Sequence, residues 1–466
     1  MKKNRIIGKN ESRQQLAELS TEFALIHNPN YIHPQYELYP LAPKITSIRK
    51  KLLGLVMDMD GTTTTTEELC IHSLEHMIRQ ITGRTNSDSW EGLDHTKDYP
   101  HIIGNSTTKH VEYLIKKYRP YIRHEELTES FFFSVLRTLT AGKDEGRKRD
   151  IRNNLASFNC REILHNPKFL NLHPDAADGQ LRKLAREFAV EYGSSIALNN
   201  FNGLVRAGID IYYQRYHEIL AAIAHGEGTA LSTELLGDPS KHLIEPMPGI
   251  GIFLAMTKGI LGEEAGNLTE ILIDHYRTRT GDTSEIDTIK VAHSLQKLGV
   301  RYQKSPLKLA VVTSSIFYEA DIVMNEVFKV IREEIASWQV SDRTKTKLFD
   351  YFAGYRKMYD SFVTASDTNE IRLKPHRDLY SIALHQLNIP KKDFDKIAGF
   401  EDSESGTIAI RAAGMGLCIA VPFAQTKGHD FNAASFVAEG GVAEVLLKWA
   451  GGGAQGHGTW GVGHGG

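Results

Sequence analysis

The sequence predicts an α/β protein, a doubly wound parallel sheet whose first strand is followed by a long all-helical insertion. Three observations predict it. A short apolar run, Leu52–Met57, ends in Asp58, Asp60 and a glycine. Residues from about 67 to 300 carry helical periodicity without a convincing strand alternation. Beyond residue 305, apolar strand-like runs alternate with helical patterns, which implies right-handed crossovers and helices on both faces of a Rossmann-like sheet.

Residues 1–49, with "NPNYIHPQYELYPLAPK", are polar, aromatic and proline-punctuated, and predict an extended lead-in lying over a domain surface. The run "LLGLVM" is almost continuously apolar, as a strand buried on both faces of a parallel sheet must be. In the insertion, "LRKLAREFAVEY" places Leu181, Leu184, Phe188 and Tyr192 on one helix face, and "GLVRAGIDIYYQRYHEILAAIAHG" continues the pattern. Strands return at "LKLAVVTSS", "DSFVTAS", "DKIAGFEDS" and "GLCIAVP", with helical segments between them. The expected organisation is an N-terminal extension over 1–49, a core of 50–66 and 303–450, a helical insertion over 67–302, and a flexible glycine-rich tail over 451–466.

A chain of 466 residues is too long for one ordinary core. The formal net charge of -2 gives no global case for nucleic acid or anionic membrane, so phosphate recognition must be local. Three scattered cysteines without a CxxC pair indicate neither a zinc site nor a disulfide framework, which fits a reducing cytoplasm. The most apolar later stretch, "GIGIFLAMTKGIL", is too short for a membrane span and contains Lys258.

Open parallel sheets bind ligands outside the carboxyl ends of their strands. There the sequence places Asp58 and Asp60, then Thr313 with Ser314 and Ser315, then Lys374, then Glu401 and Asp402. Such a set suits phosphoryl transfer to a carboxylate, in which a divalent cation, a lysine and hydroxyl or backbone donors offset the charge of a phosphoester. Magnesium is the expected ion, because it takes oxygen ligands and is held by few carboxylates together with the substrate phosphate. Two aspartates separated by one residue can divide labour as nucleophile and general acid/base.

"DMDGT" at Asp58–Thr62, the strand ending in Thr313, "KPHRD" around Lys374 and "GFEDSESG" at Gly399–Gly406 resemble, in order, the four motifs of the haloacid dehalogenase superfamily. The insertion resembles the helical caps of its β-phosphoglucomutase and phosphatase-like branch, although it is longer. The resemblance implies Asp58 as nucleophile and Asp60 as acid/base. It implies a magnesium site from Asp58, the Asp60 carbonyl and Asp402, with Glu401 reaching the ion through water. Thr313, Ser314 and Lys374 would bind the phosphoryl group, and Asn105, Ser106 and Lys109 of the cap would touch a small phosphorylated substrate. Asp60 disfavours the dehalogenases, which lack that second aspartate.

Two departures stand out: Thr63–Thr66 replace the usual apolar and acidic residues, and Cys70 occupies the place of the mutase branch's cap histidine. The expected function is therefore a magnesium-dependent phosphatase working through an aspartyl-phosphate. The alternatives are a phosphomutase, or a phosphate-binding scaffold that uses its enlarged cap.

Overall fold

A computed structural model describes residues 5–28, 32–47, 51–85, 90–103, 106–198, 200–367, 372–423, 426 and 428–450. The glycine-rich tail lies outside them. The chain divides into two compact units, one of residues 1–65 with 244–466 and one of Thr66–Leu243.

The first unit holds a six-stranded parallel sheet. Its strands are β3 (Gly54–Asp58), β4 (Lys308–Val312), β5 (Ser361–Val363), β6 (Ile397–Glu401), β7 (Leu417–Ala420) and β8 (Phe436–Val437), in the order β5-β4-β3-β6-β7-β8. Every residue of β3, β6 and β7 is buried, which accounts for the near-continuous apolar character of these segments. Strands β4 and β5 are laid down on one side of β3, and β6, β7 and β8 on the other. The winding therefore reverses beside β3, and that switch point opens a crevice at the strands' carboxyl ends. Register pairs Asp58 with Val312 and Met57 with Phe400, so Asp58, Thr313 and Glu401 follow at about one level.

Residues 5–47 are more structured than an extended lead-in. They form a helix, Lys9–Leu19, and an antiparallel hairpin of β1 (Phe23–His27) and β2 (Tyr36–Pro40). Alternation turns Ala24, Ile26 and Tyr39 onto Ala412 of the helix Glu404–Ala412. Arg411, fully buried on that helix, donates to Ala42 O at 2.7 Å and to Glu22 Oε2 at 2.6 Å, fastening the hairpin to the core.

The helical stretch does not all belong to the insertion. The division falls at Leu243/Ile244 rather than at 302/303, so the helices Ile250–Thr257, Thr269–Thr280 and Thr288–Lys304 group with the sheet. The reason is burial: all eight residues of Ile250–Thr257 are inaccessible, and Phe253 packs edge-on against Phe400 of β6 and near Trp449. A helix apolar all round needs a core on every side.

Among the described residues the second unit is all-helical. Its long helices Glu67–Thr82, His124–Ala141, Asp178–Tyr192 and Phe201–Ala224 bury Phe131, Phe132, Leu181, Phe188 and Ile211 among them. Asp210 is buried in it, held by Arg147 at 2.6 Å and by Asn154 at 2.5 Å. Among the described residues no helix is long and apolar enough to cross a membrane.

Candidate active site

Asp58 closes β3 and is 3 % exposed. Its Oδ1 accepts from Lys374 Nζ, which also pairs with Glu401 Oε1 at 2.5 Å. Burial, and then the Glu401 charge, push the Asp58 carboxyl well above the usual carboxylate range, against the pull of Lys374. Burial disfavours the Lys374 ammonium, but the flanking Asp58 and Glu401 carboxylates outweigh it and hold the lysine protonated above its usual range.

Glu401, at the end of β6, is inaccessible and saturated with donors. Oε1 accepts from Tyr380 Oη at 2.8 Å; Oε2 accepts from Ser403 Oγ at 2.9 Å and from the amides of Asp402 and Ser403, each at 3.1 Å. Gly406 keeps this corner open, since a Cβ there would lie 1.8 Å from the Glu401 carboxylate. Asp58, Glu401 and Asp402 each offer one carboxylate oxygen, and these atoms lie within 4.8 Å of one another, all buried. Hard oxygen donors so grouped, with one lysine among three acids, fit a magnesium ion.

The turn after β3 is set by Gly61, whose φ of +76° is left-handed. A Cβ there would approach Asp402 Oδ2 to 2.6 Å, so only glycine lets this loop pass beneath the acidic cluster. Asp60 follows Asp58 by two residues, and its Oδ2 accepts from Thr313 Oγ1 at 3.0 Å and from Ser315 Oγ at 3.4 Å. Thr313 is buried, its oxygen also accepting the Ser315 amide at 2.9 Å. It is not the cap of the following helix, Phe317–Ser337, whose preceding residue is Ile316. Ser314 is half-buried at the same turn.

The threonine run is a pinned structural element. Thr63 Oγ1 donates to Asp58 O at 2.6 Å and Thr64 Oγ1 to Met59 O at 3.3 Å. Thr63 O accepts from the Met247 amide and Thr65 N donates to Glu245 O, both at 2.9 Å. Thr62 Oγ1 reaches Asp402 Oδ1 at 3.5 Å.

The structure thus brings Asp58, Asp60, Thr313, Lys374, Glu401 and Asp402 to one edge of one sheet, in the order β4, β3, β6 with Lys374 from the segment after β5. The sheet-bearing unit is a doubly wound α/β fold with this edge at its switch point. Of the insertion residues, Ser106 precedes the helix Thr107–Tyr118 without a side-chain cap bond, and both Ser106 and Lys109 are exposed. Asn105 lies outside the described residues.

Some residues of this edge carried no sequence signal. Tyr380 and Ser403 hold Glu401. Arg279, from the helix Thr269–Thr280, donates to Val421 O at 2.9 Å, Pro422 O at 2.6 Å and Glu439 O at 3.0 Å, fixing the loop after β7. Burial brings its guanidinium down to about 10, with Asp402 opposing.

No family model and no curated protein matches the chain. Solved structures do, at low identity. CbbY from Rhodobacter sphaeroides in complex with phosphate is 14% identical, covering 84% of this chain and 98% of its own, with a TM-score of 0.36. A hydrolase from Pseudomonas syringae is 12% identical over 84% of this chain and 96% of its own, at a TM-score of 0.34. A HAD family hydrolase from Deinococcus radiodurans R1 with bound phosphate and sodium is 13% identical over 86% and 96%, also at 0.34.

Proposed function

We propose that the chain is a magnesium-dependent phosphatase acting on a small phosphorylated metabolite through an aspartyl-phosphate. The observation that carries this reading is the position of Lys374 between the Asp58 and Glu401 carboxylates at the switch point, with Asp60 two residues beyond Asp58 on a hydroxyl-lined turn. Asp58 is the nucleophile. Its carboxylate oxygen forms the bond to phosphorus as the ester P–O bond breaks, and Asp60 gives its proton to the departing alkoxide. The same Asp60 then takes a proton from the water that cleaves the acyl phosphate, returning both groups to their starting states.

Lys374 and Thr313, with the backbone at Ser314, bind the anionic phosphoryl oxygens in a site dry enough for each charge to count. In the free site Thr313 and Ser315 hold Asp60 by Oδ2; when Thr313 turns its single hydroxyl proton to the phosphoryl oxygen, Ser315 keeps Asp60 in place. Asp58, Asp402 and the Asp60 carbonyl would hold magnesium, with Glu401, whose oxygens already accept from Lys374, Tyr380 and Ser403, reaching it through water; the ion would supply charge neutralisation to the phosphoryl group. Residues 66–243, inserted in sequence directly after this catalytic turn, are where substrate selection is encoded, with Ser106 and Lys109 as contributors.

The test is magnesium-dependent release of phosphate from p-nitrophenyl phosphate and from a phosphometabolite panel. Asp58→Asn should lower turnover by at least about a thousandfold, as loss of an essential nucleophile does. Wild-type rates in that variant would sink the mechanism.

A further inference from the structure

The hairpin of residues 23–40 touches the segment that carries Lys374, a contact for which the chemistry above has no use. Tyr39, 5 % exposed, meets that segment at two points straddling Lys374. Its hydroxyl oxygen accepts from Arg372 Nη1 at 2.7 Å and lies 2.6 Å from His376 Nδ1, while its proton points to Glu37 Oε2 at 2.8 Å. A phenol has one proton and two lone pairs. A carboxylate such as Glu37 only accepts, so the proton goes there and both lone pairs are left to accept, which assigns the hydrogen on His376 to Nδ1. Burial and Glu37 push the Tyr39 hydroxyl up to about 12, so it keeps its proton at neutral pH. Burial, followed by the Arg372 charge, lowers His376, so its ring stays neutral.

The turn is closed on itself as well. The Arg372 amide and Nε donate to Asp378 Oδ2 at 3.1 and 3.2 Å, tying its first residue to the start of the next helix. Lys374 lies between these fixed points, with its ammonium on Asp58. The His376 ring packs edge-on to Tyr39 at 5.2 Å between centroids. Tyr39 in turn is fixed by the hydrophobic cluster of Ala24, Ile26, Leu41 and Ala412.

We infer that Tyr39 is a positioning residue for Lys374: its hydroxyl, held by the N-terminal hairpin, fixes the 372–378 turn so that the lysine meets the phosphoryl group beside Asp58. The inference rests on the proposed phosphatase reading, although its structural part can be measured without turnover. The probe is Tyr39→Phe in the full chain, which keeps the packed ring and removes only the hydroxyl.

Amide hydrogen exchange over 372–378 should rise about tenfold, the effect of losing a charge-assisted bond on local opening, while β3 and β6 exchange as before. With p-nitrophenyl phosphate and magnesium, kcat/KM should fall about tenfold with the melting temperature little changed, and inhibition by inorganic phosphate should weaken in parallel. Unchanged exchange over 372–378 would overturn the inference, as would unchanged kinetics alongside raised exchange. A wild type that turns over no phosphoester would overturn the proposed function instead, and exchange alone would then decide whether Tyr39 holds the turn.

Discussion

Lys374 stands between Asp58 and Glu401, its ammonium paired with Oδ1 of the first and, at 2.5 Å, with Oε1 of the second. All three groups are nearly or wholly buried. Removing the cation as Lys374→Met strands two carboxylates away from water, and urea unfolding at neutral pH should show a loss of about 3–5 kcal/mol. The sign with pH follows from Asp58, whose folded pKa is raised. Its burial is harmless when protonated and becomes costly as pH rises through the folded value. The variant's deficit should therefore shrink as pH falls. A deficit that stays constant with pH would mean the lysine acts through packing alone.

Magnesium should stabilise the chain. At a concentration a hundred times its dissociation constant, one site contributes about 2.7 kcal/mol, readable as a rise in melting temperature reversed by chelator. Asp402→Asn removes one of three clustered carboxylates, and should reduce that rise strongly. An equal shift in the variant would place the ion elsewhere.

Thr63→Val tests whether the threonine run is structural. Its hydroxyl is buried and donates to Asp58 O, so the variant should lose about 1 kcal/mol of stability, the net worth of an ordinary hydrogen bond. KM for a phosphoester should stay within about twofold of wild type, since uniform substrate binding is untouched. A large rise in KM at unchanged stability would show that the hydroxyl contacts substrate.

In the helical unit, Asp210 is raised to about 6 by burial, with Arg147 and Asn154 opposing. A raised carboxyl contributes stability that is complete below its unfolded value and is lost as pH climbs through the folded one. The window is therefore about pH 4 to 6, and a shift of two units corresponds to about 3 kcal/mol. Asp210→Asn cannot titrate. Its stability relative to wild type should improve across that window, measured by urea midpoints at pH 4, 5, 6 and 7.

The three residues of the site most legible in the sequence share one property: each is a polar residue at the end of a buried apolar strand. Asp58, Thr313 and Glu401 could be read because parallel strands buried on both faces leave no other place for an acid or a hydroxyl than their ends. Asp60 and Lys374 lie beyond the strand ends, and only the order of the motifs singled them out. The parts that were not legible act across the chain. Tyr39 meets His376 at a separation of 337 residues and Arg279 meets Val421 at 142, and no local period records such pairings.

The limit of the insertion was hidden for a related reason. An amphipathic segment such as Thr288–Lys304 has the same period whether its apolar face meets a helix or a sheet. The one available signal was Ile250–Thr257, which lacks a polar face. From the sequence the threonines read either as substrate contacts or as a flexible flap into the insertion, and the hydrogen bonds of Thr63 and Thr64 to the backbone replace the flexible reading with a pinned loop.

The winding order has a consequence for synthesis of the chain on the ribosome. The helical unit is one uninterrupted stretch, complete by Leu243, and its contacts can close while later residues are still being added. The sheet must wait, because β3 lies between strands that begin at Lys308 and Ile397, and the N-terminal hairpin waits for Arg411. Until those strands emerge the nascent polypeptide carries β3 as an unpaired apolar segment, and that segment is where a ribosome-associated chaperone would bind.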